Sequence, residues 1–431
     1  MPASGPQSQN AHVTFQLPPE LWVQVFQHAT HSTPGILEPD IYAHTEAFGS
    51  QYSGGTDPAL RKSMATRRCL PLVCKGWYAL SIELLYRSVW IGYTRRVLVS
   101  LCLTLLGSTW RSEQGGRSLG WYVQRLDFAP TAPLNRQSAE EHEQDLIVLT
   151  ALLDCMVNLS IVVFAPRSVR YRSIPLSPAV LQALCRRGPS LRVIHWVNDR
   201  LEPSDSDIRD LFTSAPNLRM FSSQREISLA DTLACSGIPT MHSLTTLSLF
   251  TVQERNDCTE SIHTHFPALR HIVVRCHASE SADAWRRFLA FVGTTLQSIH
   301  LKPYRNFGER DDITSGLQEK TTIVTQMCPQ LQRFTLSLPG WHLLRVDFDL
   351  PPPIVTINGR TQNPDCAFRH VWNALACISQ RTPTLQVVQF IGREDSLLLQ
   401  TRFRDKLRHG LALLPYLRVQ NHLGEPFDRP S

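Results

Sequence analysis

A short leucine-containing unit recurs from about residue 120 to the C-terminus. Its core is x-Leu-x-x-φ-x-φ, where φ is apolar, and a proline often precedes it. The clearest copies are PSLRVIHW (189–196), PNLRMF (216–221), SLTTLSLF (243–250), PALRHIVV (267–274), TLQSIHL (295–301), PQLQRFTL (329–336), PTLQVVQF (383–390) and VNLSIVVF (157–164). Because one such unit cannot bury its apolar face alone, the recurrence predicts a stack of units that share one core.

The leucine of each copy, called here the anchor leucine, recurs at a regular interval. The four middle intervals are 25 to 27 residues long, which resembles a leucine-rich repeat of about 20–29 residues. The ends, VQRLDF (123–128) and PYLRV (415–419), are degenerate copies, and the proline-rich residues 337–364 are an excursion within the widest interval. The anchor leucines are Leu159, Leu191, Leu218, Leu244, Leu269, Leu296, Leu331 and Leu385.

The segments between the anchors have helix signals. Ser177 is a predicted N-cap with Pro178 at the first helical position, and Gly188 is predicted at C′. Ser281 and Gly293 bound a second helix in the same way. Each unit is therefore expected to be a helix, a tight turn and a short strand. Stacked units predict an α/β fold in which short parallel strands line a curved solenoid.

Composition excludes several classes of protein. The chain has 43 Lys and Arg against 37 Asp and Glu, and its arginine pairs are spread along the chain, so no basic nucleic-acid arm is expected. Its 11 cysteines have irregular spacing without Cys-x-x-Cys, which favours reduced, mostly buried thiols in the cytoplasm or nucleus. The polar residues 1–15 have no apolar signal segment.

One apolar segment has the length of a membrane span. Residues 146–165 are mostly apolar, with Asp154 and Asn158 near the middle. A central aspartate costs about 2.5–3.5 kcal/mol on insertion, so we expect a helix followed by a strand and no membrane association.

The N-terminal region contains two helical blocks. LPPELWVQVFQHA (17–29) has apolar residues at helical spacing after prolines, and the same period resumes in LPLVCKGWYALSIELL (70–85). Residues 31–66 between them are rich in Gly, Pro, Ser and Thr, so a loop or poorly ordered insertion is predicted.

No catalytic or cofactor motif emerges. Phosphate-binding glycine loops and a Gly-x-Ser-x-Gly turn are absent from the sequence, and His263 with His265 has no third metal ligand at a typical spacing. Cys74 lies beside Lys75, which leaves a reactive thiol as one possibility. Its place on the apolar stripe favours a small buried side chain instead. We expect a protein without cofactor, metal or catalytic residues.

Together, the two N-terminal blocks resemble an F-box. The family pattern opens with Leu-Pro-x-Glu-Leu and an aliphatic–Phe pair, and it later reads Val-Cys-Lys-x-Trp. The blocks stand 47 positions apart, counted from Phe26 to Val73, which is longer than usual in the family and resembles divergent fungal F-box proteins. The matching residues are Leu17, Pro18, Glu20, Leu21, Val25, Phe26, Val73, Cys74, Lys75, Trp77, Ala79 and Leu80.

The resemblance implies a non-catalytic substrate receptor. F-box proteins bind a Skp-type adaptor and, through it, a cullin-based ubiquitin ligase, while the rest of the chain holds a protein substrate. We expect a helical module over 16–92, with the insertion at about 31–66, and a solenoid over 93–431. Phe26 and Cys74 are assigned to the module's own core. The residues expected to contact the adaptor are Leu17, Pro18, Leu21, Leu72, Val73 and Trp77.

The solenoid would supply the substrate surface. Residues between the apolar strand positions point to the concave face, and they include hydroxyls, histidines and arginines. The alternative function is a repeat scaffold with a vestigial F-box, independent of a ubiquitin ligase. The candidate substrate-binding residues are His195, His271, Arg275, His300 and Arg333.

Overall fold

The structure is a computed structural model. It describes residues 17–30, 58–92, 95–112, 117–128, 139–164, 174–175, 177–196, 201–223, 239–249, 265–276, 280–303, 310–338, 340–345, 348, 350, 354–359, 364–390 and 392–427. The fold is α/β and is built on one parallel 12-stranded sheet, whose strands are given next in the order in which they neighbour one another in the sheet. The strands are β1 (Ser88–Ile91), β2 (Arg125–Phe128), β3 (Ile161–Phe164), β5 (Val193–Trp196), β7 (Met220–Ser223), β8 (Thr246–Leu249), β9 (His271–Cys276), β10 (Ser298–Pro303), β11 (Arg333–Ser337), β12 (Ile354–Asn358), β13 (Val387–Phe390) and β14 (Arg418–Gln420). A separate pair consists of β4 (Ile174–Pro175) and β6 (Leu201–Glu202).

Twelve α-helices lie in the described residues. The helices are α1 (Pro19–Ala29), α2 (Pro58–Cys69), α3 (Lys75–Tyr86), α4 (Arg95–Ser112), α5 (Ala139–Cys155), α6 (Pro178–Arg187), α7 (Asp205–Ser214), α8 (Ala282–Val292), α9 (Arg310–Met327), α10 (Pro364–Arg381), α11 (Arg393–Thr401) and α12 (Arg404–Leu413). Short 3₁₀ turns cover Leu70–Leu72, Leu119–Tyr122, Gly188–Ser190 and Trp341–Leu343. Most neighbouring strands are thus joined by a helical crossover, as parallel pairing requires.

The sheet stacks equivalent apolar residues strand by strand. One row of registered partners runs across all 12 strands, and none of its members is more than 7% exposed. The row belongs to the main core, which the helices complete. Its members are Val89, Leu126, Val162, Ile194, Phe221, Leu247, Ile272, Ile299, Phe334, Val355, Val388 and Val419.

The anchor leucines mark one repeated turn, which confirms the predicted repeat. All eight are buried. The backbone N–H of each donates to the carbonyl three residues earlier, at 3.0–3.4 Å. Where a helix is described before the turn, the turn lets the chain leave that helix and enter a strand within a few residues, so the helix and the strand share one core.

Gly188 differs from its predicted role. It is the C-cap of α6 rather than the predicted C′ residue, and its φ is −41°, a right-handed value. A Cβ at this position would overlap the backbone carbonyl of Ser214, the last residue of α7. Glycine is therefore required because two successive repeats approach each other closely, and no single repeat reveals that requirement.

The proline-rich excursion contains a repeat strand. β12 lies within residues 337–364 and pairs in parallel with both β11 and β13. The anchor pattern missed it because no x-Leu-x-x-φ-x-φ copy precedes IVTIN. The widest predicted interval therefore holds one additional unit of the sheet.

The apolar segment at 146–165 is a helix and a strand, as predicted. α5 ends at Cys155 and β3 begins at Ile161. Asp154 forms a salt bridge with Arg186 at 2.7 Å, between the ends of adjacent helices. Among the residues that the structure describes, no helix combines the length and apolar character needed to cross a membrane.

The N-terminal blocks form a helical unit that leads directly into the sheet. α1 confirms the first predicted helix. The second block divides into the 3₁₀ turn at Leu70–Leu72 and α3. The predicted loop is wrong for 58–66, which belong to α2, while 31–57 lie outside the described residues. β1, inside the predicted module, pairs with β2 and forms the first strand of the solenoid sheet.

A short turn covers the last strand of the sheet. Phe427 N–H donates to the carbonyl of Val419 at 3.0 Å, and Gln420 pairs with Pro426. Asn421 organises the turn because its Oδ1 accepts from the N–H groups of Leu423 and Glu425. The turn occupies backbone groups that an uncovered edge strand would leave open.

Candidate docking surface and the faces of the sheet

The N-terminal module, defined here as α1–α3 with the 3₁₀ turn at Leu70–Leu72, has a small aromatic core. Phe26 is buried and packs with Leu70 and Leu84. The Trp77 ring lies 4.7 Å from the Phe26 ring and 5.0 Å from the Trp22 ring, measured between centroids. The assignment of Phe26 to the module's own core is therefore confirmed.

The C-terminal end of α1 is fixed by buried polar contacts to α2. Ser63 Oγ donates to the Thr30 carbonyl at 2.5 Å, and Arg67 Nη2 approaches the same oxygen at 3.4 Å. Burial lowers the pKa of the Arg67 guanidinium, and the positive charge of Arg87 lowers it further. These contacts orient α1 against α2 although the two helices are distant in sequence.

Apolar side chains that the module does not bury form a set named here the apolar patch, consisting of Leu17, Leu21, Val25, Leu72 and Val73. Leu17 and Leu21 are 42% and 43% exposed, while Leu72 and Val73 reach 84% and 60%. Pro18 is also exposed. Fully burying an exposed leucine or valine side chain is worth about 1.5–3 kcal/mol, and a partly exposed one is worth a fraction of that, so a partner surface would gain from covering these residues.

One member of the second block has a role other than that predicted. Cys74 is exposed, so its assignment to the core is wrong. It is the N-cap of α3, and its Sγ accepts from the Trp77 N–H at 3.4 Å. The predicted continuous helix would have placed Cys74 on the apolar stripe, but α3 begins only at Lys75. Trp77 is half-buried, and its ring packs on those of Trp22 and Phe26.

Val25 was not among the expected adaptor contacts, although the structure exposes it on α1. It is 45% exposed, and it follows Leu21 by four residues on α1. That spacing places both on one helix face, so the signal was present in the sequence. Tyr78 on α3 is also half-exposed, and no sequence pattern distinguished it from core residues.

The candidate substrate-binding histidines lie on the sheet but are buried. His195, His271 and His300 are each less than 9% exposed. Arg333 is half-buried, and the side chain of Arg275 lies outside the described set. His300 Nε2 lies 2.9 Å from Ser337 Oγ. Burial holds the pKa of His300 well below its usual value, and the positive charge of Lys302 lowers it further.

The strands at the N-terminal end of the sheet are buried on both faces. Ile161, Val163, Val193 and Met220 form an apolar cluster on the face opposite the main core. Arg125 and Asp127 lie on the same face of β2 and form a bidentate pair, with Nε–Oδ2 at 2.6 Å and Nη2–Oδ1 at 2.7 Å. Both side chains are almost fully buried, so this end of the face is a second core rather than an open polar groove.

The described residues contain no group of three or more possible metal ligands. His263 lies outside them, and the backbone carbonyl of His265 accepts from the N–H of Met241, 24 residues earlier in the chain. The prediction that most cysteines are buried holds only in part. The buried cysteines are Cys102, Cys155, Cys276 and Cys328, and the exposed ones are Cys69, Cys74, Cys366 and Cys377.

The apolar patch therefore contains four of the six positions expected to contact an adaptor, Leu17, Leu21, Leu72 and Val73. Pro18 is exposed as well, and Trp77 is half-buried in the aromatic core. Searches of protein-family models and of curated proteins find no match to this chain.

Proposed function

We propose that the protein is a substrate-recognition subunit of a Skp–cullin–F-box ubiquitin ligase. The apolar patch of the N-terminal module binds a Skp-type adaptor, and the solenoid holds a protein substrate. The chain itself performs no chemistry in this proposal. The supporting observation is the exposure of Leu72 and Val73 directly beside the aromatic core that orients them.

The connection between module and solenoid favours this role. β1 follows α3 after a single residue and pairs with β2, so the module is joined to the sheet without a flexible linker. Arg87 Nε donates to Gln124 Oε1 at 3.0 Å across this junction. A rigid junction would hold a substrate at a defined position relative to the adaptor.

The test is co-expression of the full chain with a Skp-type adaptor, followed by affinity purification. Leu72→Glu should abolish copurification, because a charge would be buried at the centre of the contact. Leu103→Glu is the matched control: Leu103 is 64% exposed on α4, outside the patch. Failure of the wild-type chain to bind the adaptor, or equal loss by both variants, would reject the proposal. The first result would favour a scaffold with a vestigial F-box.

A further inference from the structure

The face of the sheet opposite the main core is accessible on its last two strands. One row of registered partners on this face runs from Thr335 on β11 through Thr356 and Gln389 to Gln420 on β14. The two threonines are no more than 2% exposed, whereas the two glutamines are partly exposed. The strands near the N-terminal end are buried on both faces. A partner can therefore reach this face of the sheet at its C-terminal end.

Strand pairing places a cation, two amides and two aliphatic side chains side by side on this surface. Ile354, Val387 and Arg418 are registered neighbours on β12, β13 and β14, and Gln389 and Gln420 are registered two residues further along. Each alternates with a buried valine of the main core, so all five occupy the opposite face. Neighbouring strands lie about 4.8 Å apart, so the backbone of Arg418 lies roughly 10 Å from that of Ile354.

Arg418 is an exposed cation without a carboxylate partner in the described part of the chain. None of the salt bridges there includes it. β11 to β14 contain neither aspartate nor glutamate. Glu425 is the acidic residue of the turn after β14, and its Oε2 accepts from Asn421 Nδ2 at 3.0 Å. The charge of Arg418 is therefore available to an anionic group of a partner.

Tyr416 departs from a pattern that other repeat turns follow. It precedes Leu417 in the turn that enters β14, and it is 95% exposed. At the equivalent position of four other units, a small polar side chain donates to a backbone carbonyl of the preceding unit at 2.7–3.3 Å. Tyr416 instead presents an aromatic ring to solvent two residues from Arg418. Tyrosine and arginine are among the residue types that dominate binding energy at protein interfaces. The four polar residues are Asn158, Ser190, Asn217 and Thr295.

The spacing suits an extended segment with an apolar side chain and a carboxylate two positions apart. An extended chain rises about 3.3 Å per residue and turns alternate side chains to one side, so these two groups lie about 7 Å apart. That distance falls between the roughly 5 Å from Val387 to Arg418 and the roughly 10 Å from Ile354 to Arg418. The amides of Gln389 and Gln420 can each donate and accept a hydrogen bond, as the peptide groups of such a segment require.

We propose that Tyr416, Arg418 and the partly exposed side chains of β12 to β14 bind an acidic segment of a protein partner, in which an apolar residue and a carboxylate are two positions apart. The inference rests on the proposed function, in which that partner is the substrate, and it names the chemical class of the segment. A nucleic acid is disfavoured because a phosphate backbone is bound by several cations, whereas Arg418 is here accompanied by aliphatic side chains and amides.

The test is fluorescence anisotropy of the full chain with a labelled short peptide of Leu-Ser-Glu repeats. The wild type should bind it, more weakly as salt increases, and should bind a Leu-Ser-Lys peptide less tightly. Tyr416→Ala should weaken binding roughly tenfold. Arg418→Gln should weaken it roughly two- to fivefold. Arg418→Glu should reverse the preference, so that the Leu-Ser-Lys peptide binds more tightly than the Leu-Ser-Glu peptide.

The matched controls are Tyr78→Ala and Arg286→Glu. Tyr78 is 50% exposed on α3, at the other end of the sheet, and Arg286 is exposed on α8. Neither control should change peptide binding. Because Tyr416 and Arg418 are exposed, their variants should keep the wild-type midpoint of urea unfolding, so a loss of binding reports on the surface and not on folding.

Three results would overturn the inference: no binding of the Leu-Ser-Glu peptide by the wild type, equal weakening by the control variants, or tighter binding of a single-stranded oligonucleotide than of the peptide. The Tyr416 and Arg418 variants should still copurify with the Skp-type adaptor. Absence of peptide binding with adaptor binding intact rejects only this inference, whereas lack of adaptor binding by every chain rejects only the proposed function.

Discussion

Gly188→Ala tests whether successive repeats are held at a distance that only glycine permits. The added Cβ would lie 2.5 Å from the carbonyl carbon of Ser214 and closer still to its oxygen. Both atoms are backbone, so the end of α7 would have to move away from the end of α6. Because the φ of Gly188 is compatible with alanine, this collision is the main cost. Overpacking of this kind costs about 1–3 kcal/mol of unfolding free energy.

Gly107→Ala is the matched control with the opposite sign. Gly107 lies inside α4, and a Cβ there would meet no atom within 4 Å. Alanine should therefore stabilise the chain by about 0.5–1 kcal/mol, since it loses less backbone entropy in a helix. Urea unfolding followed by circular dichroism should place the midpoint of Gly188→Ala below wild type and that of Gly107→Ala above it. A Gly188→Ala midpoint at or above wild type would refute close packing between the repeats.

Three further perturbations test buried polar groups. Arg125→Leu should destabilise the chain by about 3–5 kcal/mol in urea unfolding because Asp127 is left as an unpaired buried charge. The double variant Arg125→Leu with Asp127→Leu should be more stable than Arg125→Leu alone, and a double variant that is no more stable would contradict this explanation. His300 stays neutral in the folded state and is protonated on unfolding below its ordinary pKa of about 6.5, so the free energy of unfolding should fall as the pH drops through that value. His300→Gln should reduce this fall. A variant with the same pH profile of stability as wild type would contradict the role of His300. Asn421→Ala should speed hydrogen exchange at the Phe427 amide by loosening the last turn, and unchanged protection would show that the turn does not depend on Asn421.

The apolar patch and the buried histidines show how far side-chain patterns predicted a surface. Leu17, Leu21, Leu72 and Val73 are exposed, in agreement with their expected place on a docking surface. His195, His271 and His300 alternate with the core row as predicted, yet the opposite face is buried at their positions. Alternation decides which face of a strand a side chain occupies, but it carries no information about what covers that face.

Sequence alone determined the repeat, the parallel sheet it implies, the positions of the anchor leucines and the helix ends marked by Ser177 and Ser281. These features depend on residues a few positions apart, where spacing and capping chemistry act directly. The tertiary structure decided that Gly188 lies where two repeats approach each other closely and that β12 fills the longest interval. Each of these depends on contacts between residues distant in sequence, because only folding brings those residues together.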